Sequence, residues 1–170
     1  MQPDSSGLIT VRLRPESPQD EPFIRRVVIE TVASELGASA WPEPMRSHLL
    51  GIQYTARRAS HRLNYPEAVR HVIQADGASA GWVVVATTTD EIRIVDIMIL
   101  PEMRGRGIGT ATLREILSIA RGQGKPVLLN VNLTNHGAIR LYERLGFRRI
   151  RSDEVQLLME ASLVSIVEIQ

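Results

Sequence analysis

The sequence predicts a mixed α/β fold, a central and mainly antiparallel sheet with helices on both faces. Three observations predict it. Short runs of β-branched and aliphatic residues alternate with longer stretches of helical periodicity. Three strand-like runs follow one another with only turn residues between them, as in an antiparallel meander. Further on, a strand–helix–strand succession calls for a crossover with its helix laid on the sheet.

The elements follow in order. Ile9–Arg14 places Ile9, Val11 and Leu13 at a period of two, an opening strand. Ser17, Pro18 and Asp20 then supply a cap, an early proline and an acidic first turn. The helix they start carries Ile24, Val27, Val28 and Thr31 inward and ends near Gly37. A second helix spans about Pro44 to Leu63, with Met45, Leu49, Ile52 and Ala56 on its apolar face. Ala68–Ala75, Gly81–Thr88 and Glu91–Leu100 form the meander, turned at Asp76-Gly77 and Thr89-Asp90. Ile108–Ala120 is helical, Val127–Val131 a short buried strand, and Asn135–Leu145 a helix stopped by Gly146. Arg148–Arg151 and Val155–Leu163 close the chain as a strand pair.

Composition narrows the function classes. The 170 residues fit a single domain over 1–170, its core at about 9–163, with 44% hydrophobic and 23% charged residues. No apolar run approaches the roughly 20 residues of a membrane helix. Met1 to Thr10 lacks the basic and apolar regions of a signal peptide, so a cytoplasmic location is expected. With no cysteine there are no thiolate ligands or thiol nucleophiles. His48, His61, His71 and His136 lack metal-ligand spacing, and no metal is expected. A net charge of +1 points to neither a nucleic acid nor a membrane surface as partner. Lys125 is the only lysine, so placement alone gives any of the arginines meaning.

The most informative segment is Leu100-Pro101-Glu102-Met103-Arg104-Gly105-Arg106-Gly107-Ile108-Gly109-Thr110. A strand enters it and a helix leaves it. Its alternating glycines let the backbone approach a ligand, and the N–H groups at the helix start face an anion. Arg104 and Arg106 add charge-assisted donors, so a pyrophosphate is a natural occupant. The other reading is a glycine turn with solvated arginines. A Walker loop is excluded by the missing lysine, and a dinucleotide fingerprint by the Gly-x-Gly-x-Gly spacing.

Arg104-Gly105-Arg106-Gly107-Ile108-Gly109 resembles the acetyl-CoA signature of the GNAT superfamily of N-acetyltransferases, written Gln/Arg-x-x-Gly-x-Gly/Ala. The expected element order is also similar to that family's, over nearly the whole chain. The segment Asn132 to Phe147 resembles its second motif. The resemblance implies acetyl-CoA as cofactor and direct transfer to an amine, without an acyl-enzyme. It implies that the strands Glu91–Leu100 and Val127–Val131 part to admit the cofactor, with backbone N–H groups at Met98, Ile99 and Leu100 binding it. It further implies that residues 104–110 hold the phosphates, that Asn135 and Ala138 lie along the pantetheine arm, and that Tyr142 protonates the leaving thiolate. Asn135 also fits a plain helix cap, and Tyr142 a packed aromatic.

The general base is less defined. Relatives that use a glutamate on the fourth strand have it where this chain has Arg93, and Asp96 is the nearest carboxylate on that strand. Asp96 fits a hydrogen-bonded strand residue equally well; Glu30 and Glu35 are further candidates, and a water chain another. Trp41, Tyr54 and Trp82 are available to shape an acceptor pocket or the core, and Arg57, Arg58 and Arg62 read as a solvated basic face. The expected partner is a small-molecule or peptide amine, with a homodimer left open. A non-catalytic acyl-CoA-binding module is the competing reading, and a nucleotide-phosphate binder a third.

Overall fold

The computed structural model describes residues 9–162. The first eight residues of the Met1–Thr10 stretch, and Leu163 at the expected end of the last strand, lie outside the described residues. The elements are β1 (Val11–Pro15), α1 (Glu21–Leu36), α2 (Met45–Asn64), β2 (Val69–Ala75), β3 (Ala78–Thr87) and β4 (Ile92–Ile99). They continue with α3 (Ile108–Gln123), β5 (Val127–Asn132), α4 (His136–Arg144), β6 (Arg148–Ser152) and β7 (Gln156–Ala161). This is the expected order, with boundaries shifted by up to three residues at strand and helix ends.

The seven strands make one sheet in the order β1-β2-β3-β4-β5-β7-β6, antiparallel except for the β4–β5 pair. Strand periodicity sorts the core into two layers. On one face Val72, Trp82 and Val84 meet Ile24, Val27, Val28 and Leu50 from α1 and α2. On the other, Ile73, Val83 and Leu129 meet Leu113, Ile116 and Ile139 from α3 and α4. Because both faces are covered, β3 is buried from Ala80 to Val84 and reads as a continuous apolar run, without polar alternation.

The start that Ser17, Pro18 and Asp20 predict is a 3₁₀ turn over Pro18–Asp20, from which α1 continues at Glu21. Asp20 accepts from the Arg14 guanidinium at 2.6 and 2.9 Å and from the Ser17 N–H and hydroxyl at 2.8 and 2.7 Å. The hydrogen bonds from Arg14, then those from Ser17, hold the Asp20 carboxyl well below the usual carboxylate range.

Helix α2 turns a different face inward from the one its hydropathy predicts. Met45, Leu49, Ile52 and Ala56 are exposed, and Leu50, Tyr54, Arg58 and His61 are buried. The physical reason is a buried polar cluster. Arg58, only 8% exposed, forms a fork to Glu16 at 2.7 and 3.1 Å and lies 5.5 Å from the centre of the Trp82 ring. The Trp82 indole N–H donates to Glu16 at 3.0 Å, and the Tyr54 hydroxyl donates to Glu21. Such amphipathic side chains bury a long apolar stem while their tips find partners. The expected basic face of Arg57, Arg58 and Arg62 is therefore divided, with Arg62 alone exposed. Trp82 and Tyr54 are core residues, and Trp41 packs half-buried on the same cluster.

Gly81 fixes how β4 lies on β3. A Cβ at this position would sit 2.3 Å from the Met98 carbonyl oxygen and 3.2 Å from the Ile99 Cα, both backbone atoms that cannot swing aside. Gly81→Ala is expected to lose about 1–3 kcal/mol of unfolding free energy through this overlap. Gly122→Ala, in α3 with open space around it, should be neutral or stabilising by up to about 1 kcal/mol. Urea unfolding of both variants checks this, and a Gly81→Ala protein as stable as the parent would show that the strands are free to separate.

Candidate functional site

The site is made where two neighbouring strands stop pairing. β4 and β5 are in register only at Ile92–Val127, Arg93–Leu128 and Ile94–Leu129, although β4 continues to Ile99 and β5 to Asn132. A bulge marks the divergence: Val85 pairs with Ile94 and Val84 with Asp96, leaving Val95 as the extra residue. Beyond it β4 stays on β3, and β5 stays on β7. The parting opens a cleft of about 910 Å³ between α1, the 104–110 loop and α4.

The exposed β4 edge differs in detail from the expectation. The Leu100 N–H donates to the Ala80 carbonyl at 2.9 Å and its side chain is buried. Alternation along the strand turns the Met98 N–H the same way, leaving those of Ile97 and Ile99 on the cleft side. Of the trio Met98, Ile99 and Leu100, only Ile99 thus offers its N–H to the cleft. Met98 still contributes to the wall, and Ile97 joins it.

The glycine loop forms the mouth. Gly105 and Gly107 have φ of 73° and 81°, a region costly for any side chain. The first α-helical bond of α3 runs from the Ala111 N–H to the Gly107 carbonyl at 2.9 Å. The N–H groups of Ile108, Gly109 and Thr110 therefore have no acceptor within the helix, and all three residues line the cleft. An ideal Cβ on Gly109 would meet nothing nearer than Leu141 Cδ2 at 3.8 Å, so the missing side chain leaves open space at the wall. These features fit a pyrophosphate and an extended arm.

The two loop arginines behave differently. Arg104 lines the cleft, donating to the Ile99 carbonyl at 3.1 Å and the Thr31 hydroxyl at 3.3 Å, and so ties the loop to β4 and α1. Arg106 is not part of the wall; it donates to the Glu102 carbonyl at 3.1 Å. The expectation that both reach one spot is corrected by these local acceptors.

On the opposite wall Asn135 caps α4, its side-chain oxygen accepting from the Ala138 N–H at 3.1 Å, and both residues face the cleft. Tyr142 packs on Phe147, with ring centres 5.7 Å apart, and is 8% exposed. Among the described residues its hydroxyl has no hydrogen-bond partner. Burial first, then the negative charge of Asp96, pushes its pKa up to about 12.

The candidate bases are dispersed. Asp96 is not on the cleft wall; its carboxylate is held by Arg57 at 2.9 Å and by His61 Nε2 at 3.3 Å. Glu30 pairs with Arg26 at 2.8 Å, and Arg93 pairs with Glu91 at 2.8 Å. Glu35 lines the cleft and makes no ion pair among the described residues. The wall also includes Asn132, Thr134 and Arg144, which the sequence did not single out. Strand alternation could have indicated Ile97, and the helical spacing that turns Thr31 inward, where it is buried, does not by itself place it at the cleft. Among the described residues no three His, Asp or Glu side chains gather as metal ligands. No described helix is long and apolar enough to cross a membrane.

Known proteins resemble this chain over part of its sequence, and others in fold. The chain is 42% identical over 60 residues to the N-alpha-acetyltransferase RimI of Mycobacterium tuberculosis, a match covering 35% of this chain and 37% of that protein. It is 32% identical over 76 residues to the [ribosomal protein bS18]-alanine N-acetyltransferase of Salmonella typhimurium, covering 44% and 51%. The matched stretches span between 30% and 59% of the lengths of such curated relatives. In fold, the PaiA N-acetyltransferase of Thermoplasma acidophilum, solved in complex with coenzyme A, superposes with a TM-score of 0.69 at 18% identity, over 90% of this chain and 99% of that one. Residues 33–147 match the model of the acetyltransferase (GNAT) family, which takes in α2, the meander, the glycine loop and α4, and the chain belongs to that family.

Proposed function

We propose that this chain is an N-acetyltransferase that moves an acetyl group from acetyl-CoA to a primary amine of a small molecule or peptide, by direct attack in a ternary complex. The observation that carries the proposal is the cleft between β4 and β5, with the unpaired amides of residues 108–110 at its mouth and the buried Tyr142 in its wall. The proposal treats residues 1–170 as one domain. It places the protein in the cytoplasm, where acetyl-CoA is available, and requires no metal.

Acetyl-CoA, when bound, supplies an activated acyl carbon and a thiol leaving group. The amides of Ile108, Gly109 and Thr110, with Gly105, Gly107 and Arg104 around them, would hold its pyrophosphate. Arg106 would act from outside the wall as a general positive charge. The N–H groups of Ile97 and Ile99, with Asn135 and Ala138 opposite, would align its arm and polarise the carbonyl. Glu35, the cleft carboxylate without an ion pair, would take the proton of the acceptor amine directly or through water. Asp96, held by Arg57 and His61, would act through its charge on Tyr142.

Calorimetric titration with acetyl-CoA, CoA and ATP tests the binding half, and an amine panel followed by thiol release tests the transfer. The Salmonella relative is named for an alanine of a ribosomal protein, so the panel should include peptide N-termini. Acetyl-CoA should bind and raise the melting temperature, with ATP doing much less. Gly109→Ala should stay folded, since the position is helical and the space open, yet weaken acetyl-CoA binding about tenfold, ~1.4 kcal/mol. Gly107 is a poorer probe, because its φ of 81° would strain any replacement. Equal stabilisation by ATP would overturn the proposal. Binding with no amine-dependent thiol release would favour the non-catalytic module.

Tyr142 generates a second expectation. With its pKa raised to about 12, the hydroxyl keeps its proton through the ordinary working range and loses it only as pH rises toward that value. A model thiol titrates near ~8.5, so complete transfer from this tyrosine to a free thiolate is uphill. The hydroxyl would therefore assist chiefly by donating a hydrogen bond as the sulfur departs. Tyr142→Phe should lower kcat by about 10²-fold, the lower end for acid assistance, with acetyl-CoA affinity and melting temperature little changed. Glu35→Gln should instead lower kcat/KM for the amine while acetyl-CoA affinity stays unchanged. Full kcat in a folded Tyr142→Phe enzyme would reduce Tyr142 to a packing residue.

A further inference from the structure

One cation in the cleft wall is left without a task by the transfer chemistry. Arg144, in the last turn of α4, lines the cleft and is exposed. Its guanidinium makes no ion pair or hydrogen bond among the described residues. The other arginine of the wall is committed, since Arg104 donates to the Ile99 carbonyl and the Thr31 hydroxyl. Glu143, the acid next to Arg144 in sequence, pairs with Arg149 at 2.8 Å. Arg140, exposed and one turn earlier on α4, is likewise without a partner among the described residues, so two like charges stand at a spacing where they repel. The negative end of the helix dipole accounts for a cation at Arg144, but not for a second one in the middle of the helix. An anion held at the lip of the cleft would offset the repulsion of both.

The level at which Arg144 stands identifies the anion. Leu141 marks the level of the glycine loop, because its Cδ2 is the nearest atom to a Cβ built on Gly109, at 3.8 Å. The free amides of Ile108, Gly109 and Thr110 at that level form the proposed pyrophosphate site. Asn135 and Ala138, toward the start of α4, lie where the arm would run. Arg144 is three residues past Leu141, roughly 4.5 Å further along the helix axis. The wall of α4 thus follows the order of the cofactor: arm, pyrophosphate, and then the group beyond the pyrophosphate. In coenzyme A that group is a ribose bearing a 3′-phosphate. A phosphate monoester is close to dianionic above its second pKa of about 6, and the planar fork of arginine matches its oxygens.

We propose that Arg144, backed by Arg140, binds the ribose 3′-phosphate of acetyl-CoA and makes this protein select coenzyme A over forms that lack that phosphate. The inference rests on the acetyl-CoA reading and adds to it a specificity-determining residue. The backbone amides of the glycine loop cannot make this distinction, because they meet the pyrophosphate that both forms share. The contact is electrostatic and solvent-exposed, so the preference should shrink as salt rises.

Calorimetric titration with coenzyme A and with 3′-dephospho-coenzyme A tests the proposal without an acceptor or turnover. The parent should bind coenzyme A about tenfold more tightly than the dephospho form, with a smaller ratio at high salt. Arg144→Gln should bring the two affinities within about twofold of each other by weakening coenzyme A alone, and Arg140→Gln should close the gap in part. Because both side chains are exposed, the melting temperatures of the unliganded variants should change little. Equal affinity of the parent for the two ligands would overturn the inference and leave the acetyl-CoA reading standing. So would an Arg144→Gln protein that loses the same factor for both ligands, since its charge would then act on the shared pyrophosphate. Binding of neither ligand would overturn the acetyl-CoA reading itself, and this inference with it.

Discussion

The parting of β4 from β5 after Ile94 is the constraint on which the rest of the molecule depends. A sheet that loses a ladder in its interior leaves backbone donors and acceptors unpaired, at a cost that compact proteins avoid. Here each strand keeps its other neighbour, so the loss is confined to one edge of each. The Val95 bulge redirects β4, and the bare backbone of Gly81 lets β3 receive its far half closely. The unpaired edge is what a backbone-like ligand could complete, and the α3 amides lie at its end.

A second constraint is the charge buried between α2 and the sheet. Arg58, Glu16 and Trp82 form a hydrogen-bonded group almost sealed from water, and removal of one partner would leave a charge uncompensated. That penalty makes the orientation of α2 discrete. With Arg58 and Tyr54 inside, the helix cannot turn its aliphatic ridge toward the core, so the ridge is left to water or to another molecule. The same polar group thus accounts for the miscast apolar face and for the ridge left exposed.

Element order was legible in the sequence because hydrophobic periodicity and turn residues are local signals, and eleven elements follow them in sequence. The glycine loop and the Asn135–Tyr142 segment were legible for a similar reason, each lying on one continuous stretch. What escaped was decided by neighbours distant in the chain. Nothing near Arg58 announces Glu16, and nothing near Asp96 announces Arg57 or His61. The direction of the Leu100 N–H depends on its register with Ala80, which only the assembled sheet defines. Arg104 and Arg106, two residues apart, diverge because Thr31 and Ile99 accept from one and Glu102 from the other.

These long-range partners also bear on the chemistry proposed for Tyr142. A buried hydroxyl is less costly to keep than a buried ammonium, because it need not be charged until it acts. Asp96 adds a negative charge that strengthens the hold on the tyrosine proton, and that charge is itself tempered by Arg57 of α2. Arg57 and Arg58 are consecutive on the helix: one reaches toward the split strand, the other toward the buried glutamate beneath Trp82. A rotation or slide of α2 would therefore loosen both ties together. The helix whose outer face is an exposed apolar ridge thus sets, on its inner face, the electrostatic environment of the proposed proton donor.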